Sequence, residues 1–350
     1  MAIDIRSNSP VRQPPDDYAP AGSERWFTIP AGLDAGKQMF YFDHRVGGDP
    51  PRATVLFVHG NPESSYTYRH VRDGLLASGL PLRLVAADNI GFGLSDQATF
   101  EMIDMHHAAN LAQLVDALQL TDVTLVIHDW GGPIGTGAFR ASMERVTRLV
   151  VLNTTIFPMP ADGWTYENFP SRLAPWCKTP RFIPKAAWGG MAGALITAEP
   201  GTSVPGMFAR TAWRSAAFAL HRISPGTAEA VFSEALRPRP NVLSSQRNVF
   251  QTPVWGHGYQ YVDPTHGLQD NAEFYRELQA EVPRHWRGIP AVAHIGEFDP
   301  LGKESVLDQW RAAIPGLEVH RYPGIGHFVA EAKGPEIAAS MVAMLASGSR

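Results

Sequence analysis

The segment Val126-Ile127-His128-Asp129-Trp130-Gly131-Gly132 sets one carboxylate between a run of core-type residues and a pair of glycines. A strand that runs straight into small residues and a helix leaves almost no loop. A side chain at its tip is held in a strained conformation above the sheet, ringed by the backbone N–H groups that follow. Serine is the commoner residue at such a tip. Here it is Asp129, with Gly131 kept two places on and Ile127 where glycine is usual two places back. A carboxylate is ionised at neutral pH and attacks without a base. It displaces a leaving group from saturated carbon or opens a strained ring, giving an alkyl ester. Water activated by a histidine then cleaves that ester while N–H groups hold the oxyanion. The purely structural reading makes Asp129 the N-cap of the next helix.

Two later segments supply the partners this chemistry needs. The run Ala291–Ile295 ends in Gly296-Glu297-Phe298-Asp299-Pro300, and Leu317–Tyr322 leads into Gly324-Ile325-Gly326-His327-Phe328. The order nucleophile, acid, histidine fits three loops at one edge of a strand–helix sheet. Asp299 would fix the tautomer of His327 and stabilise its imidazolium. Glu297 is the rival acid, but it lies nearer the buried strand, and an Asp-Pro turn suits a projecting carboxylate. Upstream, Val58-His59-Gly60-Asn61-Pro62 brings a tight turn to a strand end. The N–H groups of Asn61 and Trp130 suit an oxyanion hole, and their side-chain donors suit a departing anion. Taken singly, each of these residues reads more simply as a turn or packing residue; their joint occurrence favours a site.

The elements that must position these residues follow from the hydrophobic rhythm. Short apolar runs at Ala53–Val58, Leu82–Ala87, Val123–Ile127 and Leu149–Leu152 alternate with helical spacing over Tyr68–Ala77, Ile103–Leu118 and Ile134–Met143. That alternation predicts an α/β fold with a mostly parallel sheet flanked by helices. It stops after Phe157 and resumes at Ala291, after a stretch rich in Trp, Phe, Pro and Gly. The chain therefore divides into a flexible arm (1–22), a core (23–157 and 288–350) and an inserted, mainly helical cap (158–287). Trp164, Trp176, Trp188, Trp213 and Trp255 are expected in the cap interior and pocket wall.

Composition narrows the function classes. Thirty Lys and Arg against thirty-four Asp and Glu give a net charge of −4 over 350 residues. With no basic run, nothing in that total draws the chain to nucleic acid or an anionic membrane. No apolar stretch approaches the length of a membrane span. The opening residues lack the pattern of a secretion signal, and the single Cys177 fits a reducing cytoplasm. No cofactor fingerprint is present, and His106 and His107, near the start of a predicted exposed helix, lack metal-ligand spacing. Glu63, beside Pro62, reads as a turn residue.

Five segments together resemble the haloalkane dehalogenase family of α/β-hydrolases: His59–Val71, Asp88–Asp96, His128–Gly132, Gly296–Gly302 and Gly326–Ala332. They cover the core on both sides of the insertion. The resemblance implies the α/β-hydrolase fold, Asp129 as nucleophile, Asp299 as acid, His327 as base, and Asn61 with Trp130 as halide-binding donors. It also implies a small apolar organic substrate, water and halide as partners, no cofactor or metal, and a monomer or small homo-oligomer. Some branches carry the acid as a glutamate after the Leu149–Leu152 strand, whereas this chain has Asn153-Thr154-Thr155. That stretch resembles a branch including β-lactone decarboxylases of olefin biosynthesis, which share the same five core residues. Epoxide hydrolysis is a third reading, with Tyr166, Tyr259, Tyr261 and Tyr275 available to protonate a ring oxygen. A catalytically silent binding module is a fourth.

Overall fold

The computed structural model describes residues 3–169 and 175–347. Residues 1–2 of the expected arm, 170–174 of the insertion and 348–350 of the core lie outside the described residues.

The strands are β1 (Glu24–Thr28), β2 (Gln38–Val46), β3 (Ala53–Val58), β4 (Leu82–Ala87), β5 (Val123–His128), β6 (Val146–Leu152), β7 (Gln260–Asp263), β8 (Gly267–Asp270), β9 (Ala291–Gly296) and β10 (Glu318–Tyr322). All but β7 and β8 form one sheet in the order β1-β2-β4-β3-β5-β6-β9-β10. From β4 to β10 neighbouring strands run parallel, while β1 and β2 form an antiparallel edge. The continuous apolar runs of β3, β5 and β9 are buried along their whole length, as a sheet covered on both faces requires. Alternate residues serve opposite faces: Leu56 and Val58 join one apolar cluster, Val55 and Phe57 the other.

The first cluster is roofed by α2 (Asp104–Ala117), α3 (Gly131–Ala138) and α10 (Glu304–Ala313), and the second by α1 (Arg69–Ala77) and α11 (Val329–Ser347). His106 and His107 are buried in α2 rather than exposed, because that helix packs along α3.

Between β6 and β9 lie α4 (Thr179–Phe182), α5 (Lys185–Ile196), α6 (Val204–Ala219), α7 (Ala228–Glu234), α8 (Arg239–Gln251), the β7–β8 hairpin and α9 (Ala272–His285). Helix α5 carries three glycines: a β-carbon at Gly190 would lie 2.6 Å from that of Phe218 on α6, so glycine permits the close helix pair. Phe274, Leu278 and Val282 of α9, with Trp286, pack in the first apolar cluster, as do Tyr166 and Trp255 of the same insertion.

The arm is more tightly held than its composition predicts. Tyr18 is fully buried and its hydroxyl donates to Asp88 Oδ2 at 2.6 Å. The Ser9 hydroxyl donates to the Gly93 carbonyl at 2.7 Å, and Arg72 donates to the carbonyls of Asp17 and Tyr18. These anchors are isolated residues without periodicity, and so they leave no pattern in the sequence.

Candidate active site

Strand β5 ends at His128, and Asp129 turns the chain into α3 with φ of +52°. An L-residue is strained in that left-handed region. Sharp reversal also needs Gly131, where a β-carbon would collide with the Val58 carbonyl oxygen. The carboxylate is buried and held by both oxygens. Oδ1 accepts the Asn61 backbone N–H at 2.7 Å, and Oδ2 lies 3.0 Å from His327 Nε2. The Thr154 hydroxyl donates to the Asp129 carbonyl and ties the turn to the end of β6.

His327 Nδ1 lies 2.9 Å from Asp299 Oδ2. An imidazole between two carboxylates satisfies both only as a double donor, which is the imidazolium. Burial alone disfavours that charge, but Asp299 and Asp129 outweigh it and raise the proton affinity of His327 well above the usual histidine range. Asp299 also accepts the Asn153 side-chain N–H at 2.8 Å and faces the Tyr166 hydroxyl at 3.3 Å. Glu297, the rival acid, is instead paired with Arg321 at 2.6 Å near the surface.

Asn61 and Trp130 both line a cavity of about 380 Å³ that also meets Asp129, Asp299 and His327. The Asn61 Nδ2 donates to the Ser245 carbonyl of α8 at 3.3 Å, so the cap fixes the aim of this amide. Trp130 is fixed by stacking on Trp255 at 3.7 Å between ring centres, and Trp255 in turn donates to the Thr155 carbonyl at 2.8 Å. Trp176 and Trp188 line the cavity as expected, whereas Trp164 and Trp213 face solvent. Of the four tyrosines, Tyr166 alone is among the lining residues. Tyr275 is committed to Asp104 at 2.6 Å, Tyr259 to Arg247, and Tyr261 to the Glu101 carbonyl.

Three supports escape the sequence reading. Asn153, at φ +33°, bridges the acid loop by accepting the Gly296 N–H at 2.8 Å and donating to its carbonyl at 2.9 Å. An amide residue at the end of an apolar strand is its only signal. Glu63 is buried rather than a simple turn residue, 2.7 Å from His128 Nδ1, while His128 Nε2 meets the His327 carbonyl at 2.8 Å. Burial pushes the Glu63 carboxyl up, but the charge and hydrogen bond of His128 prevail and hold it at about 2. A lone acid in an otherwise uncharged HGNPESSY run is the visible trace. The third support, Ser245, carries no local signal. Among the described residues no group of His, Cys, Asp or Glu has the arrangement of a metal site.

The fold and the sheet-edge constellation are those of an α/β-hydrolase, and the family model described as alpha/beta hydrolase fold matches residues 53–187. The chain is an enzyme of the α/β-hydrolase superfamily. It is 27% identical over 309 residues to a cis-3-alkyl-4-alkyloxetan-2-one decarboxylase of Shewanella oneidensis, covering 86% of this chain and 83% of that one. It is 38% identical over 158 residues to a haloalkane dehalogenase of Mycolicibacterium smegmatis, covering 44% of this chain and 47% of the relative. The tetrameric haloalkane dehalogenase DpaA of Paraglaciecola agarilytica has the same fold, with a TM-score of 0.66 at 23% identity over 94% of this chain and 96% of its own.

Proposed function

We propose that the protein is a haloalkane dehalogenase-like hydrolase acting on small apolar substrates. The observation that carries this reading is the pair of restraints on Asp129. One carboxylate oxygen sits on the Asn61 N–H, while the other faces His327 beside the side-chain donors of Asn61 and Trp130.

In this mechanism Asp129 Oδ2 attacks the halogen-bearing carbon. The carbon–halogen bond breaks, and the halide leaves with the bonding pair toward Asn61 and Trp130. Forming the ester removes the Asp129 charge, so the proton affinity of His327 falls, and Nε2 becomes free to take a proton from water. The resulting hydroxide attacks the ester carbonyl carbon, and the developing oxyanion sits at the Asn61 N–H. Collapse expels the alkoxide, which takes a proton and leaves as alcohol. One further proton goes to solvent, and Asp129 regains its charge with one oxygen from water. Asp299 accepts the Nδ1–H of His327 throughout, while the ring is neutral and while it is an imidazolium.

A second reading is favoured by the long alignment that runs through the insertion to the oxetanone decarboxylase relative. There the same carboxylate opens a β-lactone, and the ester loses carbon dioxide to give an alkene. The uneven fate of the four tyrosines weighs against epoxide opening. The separating experiment uses His327→Gln with 1-bromohexane and with a disubstituted β-lactone, read by intact-protein mass. An accumulating hexyl adduct on Asp129, with halide release by the wild type, supports dehalogenation. Alkene and carbon dioxide from the lactone, without halide release, favour the alternative. No adduct with either substrate overturns covalent catalysis and leaves a binding module.

A further inference from the structure

Helix α6 is amphipathic in the wrong sense for a surface helix bathed in water. Pro205, Phe208, Ala212, Trp213, Ala216 and Leu220 are exposed and recur at helical spacing on one outward face. Phe208, Trp213 and Leu220 are 45%, 71% and 63% exposed. The charged residues of the helix turn the other way: Arg210 donates to the carbonyls of Ala194 and Thr197 on the α5 side, and Arg214 pairs with Glu229. A water-facing helix shows the opposite arrangement.

The surroundings of this face are basic. Between residues 175 and 225 there are six Lys and Arg and one acid, Glu199, although the whole chain carries −4. Lys178, Arg181, Lys185 and Arg222 are exposed, as is Phe182, at 71%. The start of α5 and the end of α6 lie together, since Gly189 and Gly190 pack on Phe218, so Lys185 and Arg222 flank the Leu220 end. At the other end, Met207 and the exposed Glu199–Gly201 loop line the catalytic cavity. The inner side of α6 and the loop before it thus border the cavity, while the apolar face points outward.

We propose that this face of α6 docks the protein on an anionic lipid surface. Phe208, Trp213 and Leu220 enter the boundary between headgroups and acyl chains, and Lys185, Arg181 and Arg222 meet the lipid phosphates. The basic residues at the Leu220 end fit lipid phosphates, and a second copy of the chain on this face is the competing occupant that the test below separates. The chain-wide charge balance conceals this patch, which is why it gives no electrostatic hint of a membrane surface. Docked this way, the enzyme takes an apolar substrate directly from lipid; that last clause rests on the proposed function, the docking itself does not.

The test is flotation of the full chain with vesicles of phosphatidylcholine alone and of phosphatidylcholine mixed with phosphatidylglycerol. Binding to the mixed vesicles is expected to be about tenfold or more tighter and to weaken as salt is raised. The variant F208D/W213D, whose residues do not line the cavity, is expected to lose about tenfold or more in binding with its melting temperature unchanged. The variant R181E/K185E/R222E is expected to lose the preference for phosphatidylglycerol. Failure of the wild type to float with either vesicle overturns the proposal. So does equal binding by F208D/W213D, or a dimer lost in that variant without any vesicle binding. Flotation reads attachment rather than turnover, so a failure of the dehalogenase reading would leave this result distinct.

Discussion

In the proposed mechanism Asp129 must do two things that normally conflict: be a charged nucleophile and lie buried. The conflict is resolved by the Asn61 N–H on one oxygen and the His327 imidazolium against the other. Asp129→Ala removes the attacking group and is expected to lower turnover by about 10⁴-fold or more while leaving the fold intact, as steady-state halide release and a melting curve will show. The electrostatics also predict a pH signature. Ester formation needs only ionised Asp129, whereas ester hydrolysis needs neutral His327, whose proton affinity Asp299 still raises after alkylation. Rapid-quench experiments should therefore give a halide burst followed by a steady phase that speeds up as pH rises through the His327 titration. A steady phase that slows with rising pH would contradict this assignment. Asp129, Asp299 and His327, which the structure brings together, are singled out in the sequence because each follows an apolar run and carries a turn residue beside it. Asn153 and Glu63 are not, since their roles depend on which strand ends become neighbours.

At the scale of elements, the ends of β5, β6 and β9 act together. Asn153 at the end of β6 clasps Gly296 and Asp299 on the β9 loop, so it is a positioning residue for the acid. Asn153→Ala is expected to lower kcat about tenfold with KM little changed, because the imidazolium loses its aligned partner but the cavity keeps its shape. Behind Asp129 and His327, the Glu63–His128 pair links the β3 turn to β5. With its carboxyl at about 2 against an ordinary value near 4.5, Glu63 adds stability that is full above pH 5 and is lost as pH falls toward 2. Glu63→Gln should flatten the fall in urea midpoint over that window and cost roughly 2–3 kcal/mol at neutral pH. The core strands could be read directly because each buried run has a single solution, a covered parallel strand. Helix α5 and the true extent of α9 could not. Glycines serve α5 as sites of close approach, and α9 joins the first apolar cluster through contacts with α3 and α10 that no local pattern encodes.

Over the whole molecule, segments far apart in sequence lock the catalytic edge. The arm contributes Tyr18 to the Asp88 loop, so Tyr18→Phe should cost about 1–2 kcal/mol, measured as a lower urea midpoint with unchanged slope. The cap contributes α8, whose Ser245 carbonyl aims Asn61, and Trp255, which backs Trp130. Residues of the insertion and of the sheet edge thus line one cavity. The proposed mechanism depends on a covalent ester at Asp129. A single turnover of a haloalkane in ¹⁸O-water, followed by mass analysis of the peptide containing Asp129, tests that most directly. Covalent catalysis at Asp129 predicts one heavy oxygen in its carboxylate after that turnover, with unlabelled alcohol released. Labelled alcohol with an unlabelled Asp129 peptide would contradict it, since water would then have attacked the substrate carbon itself.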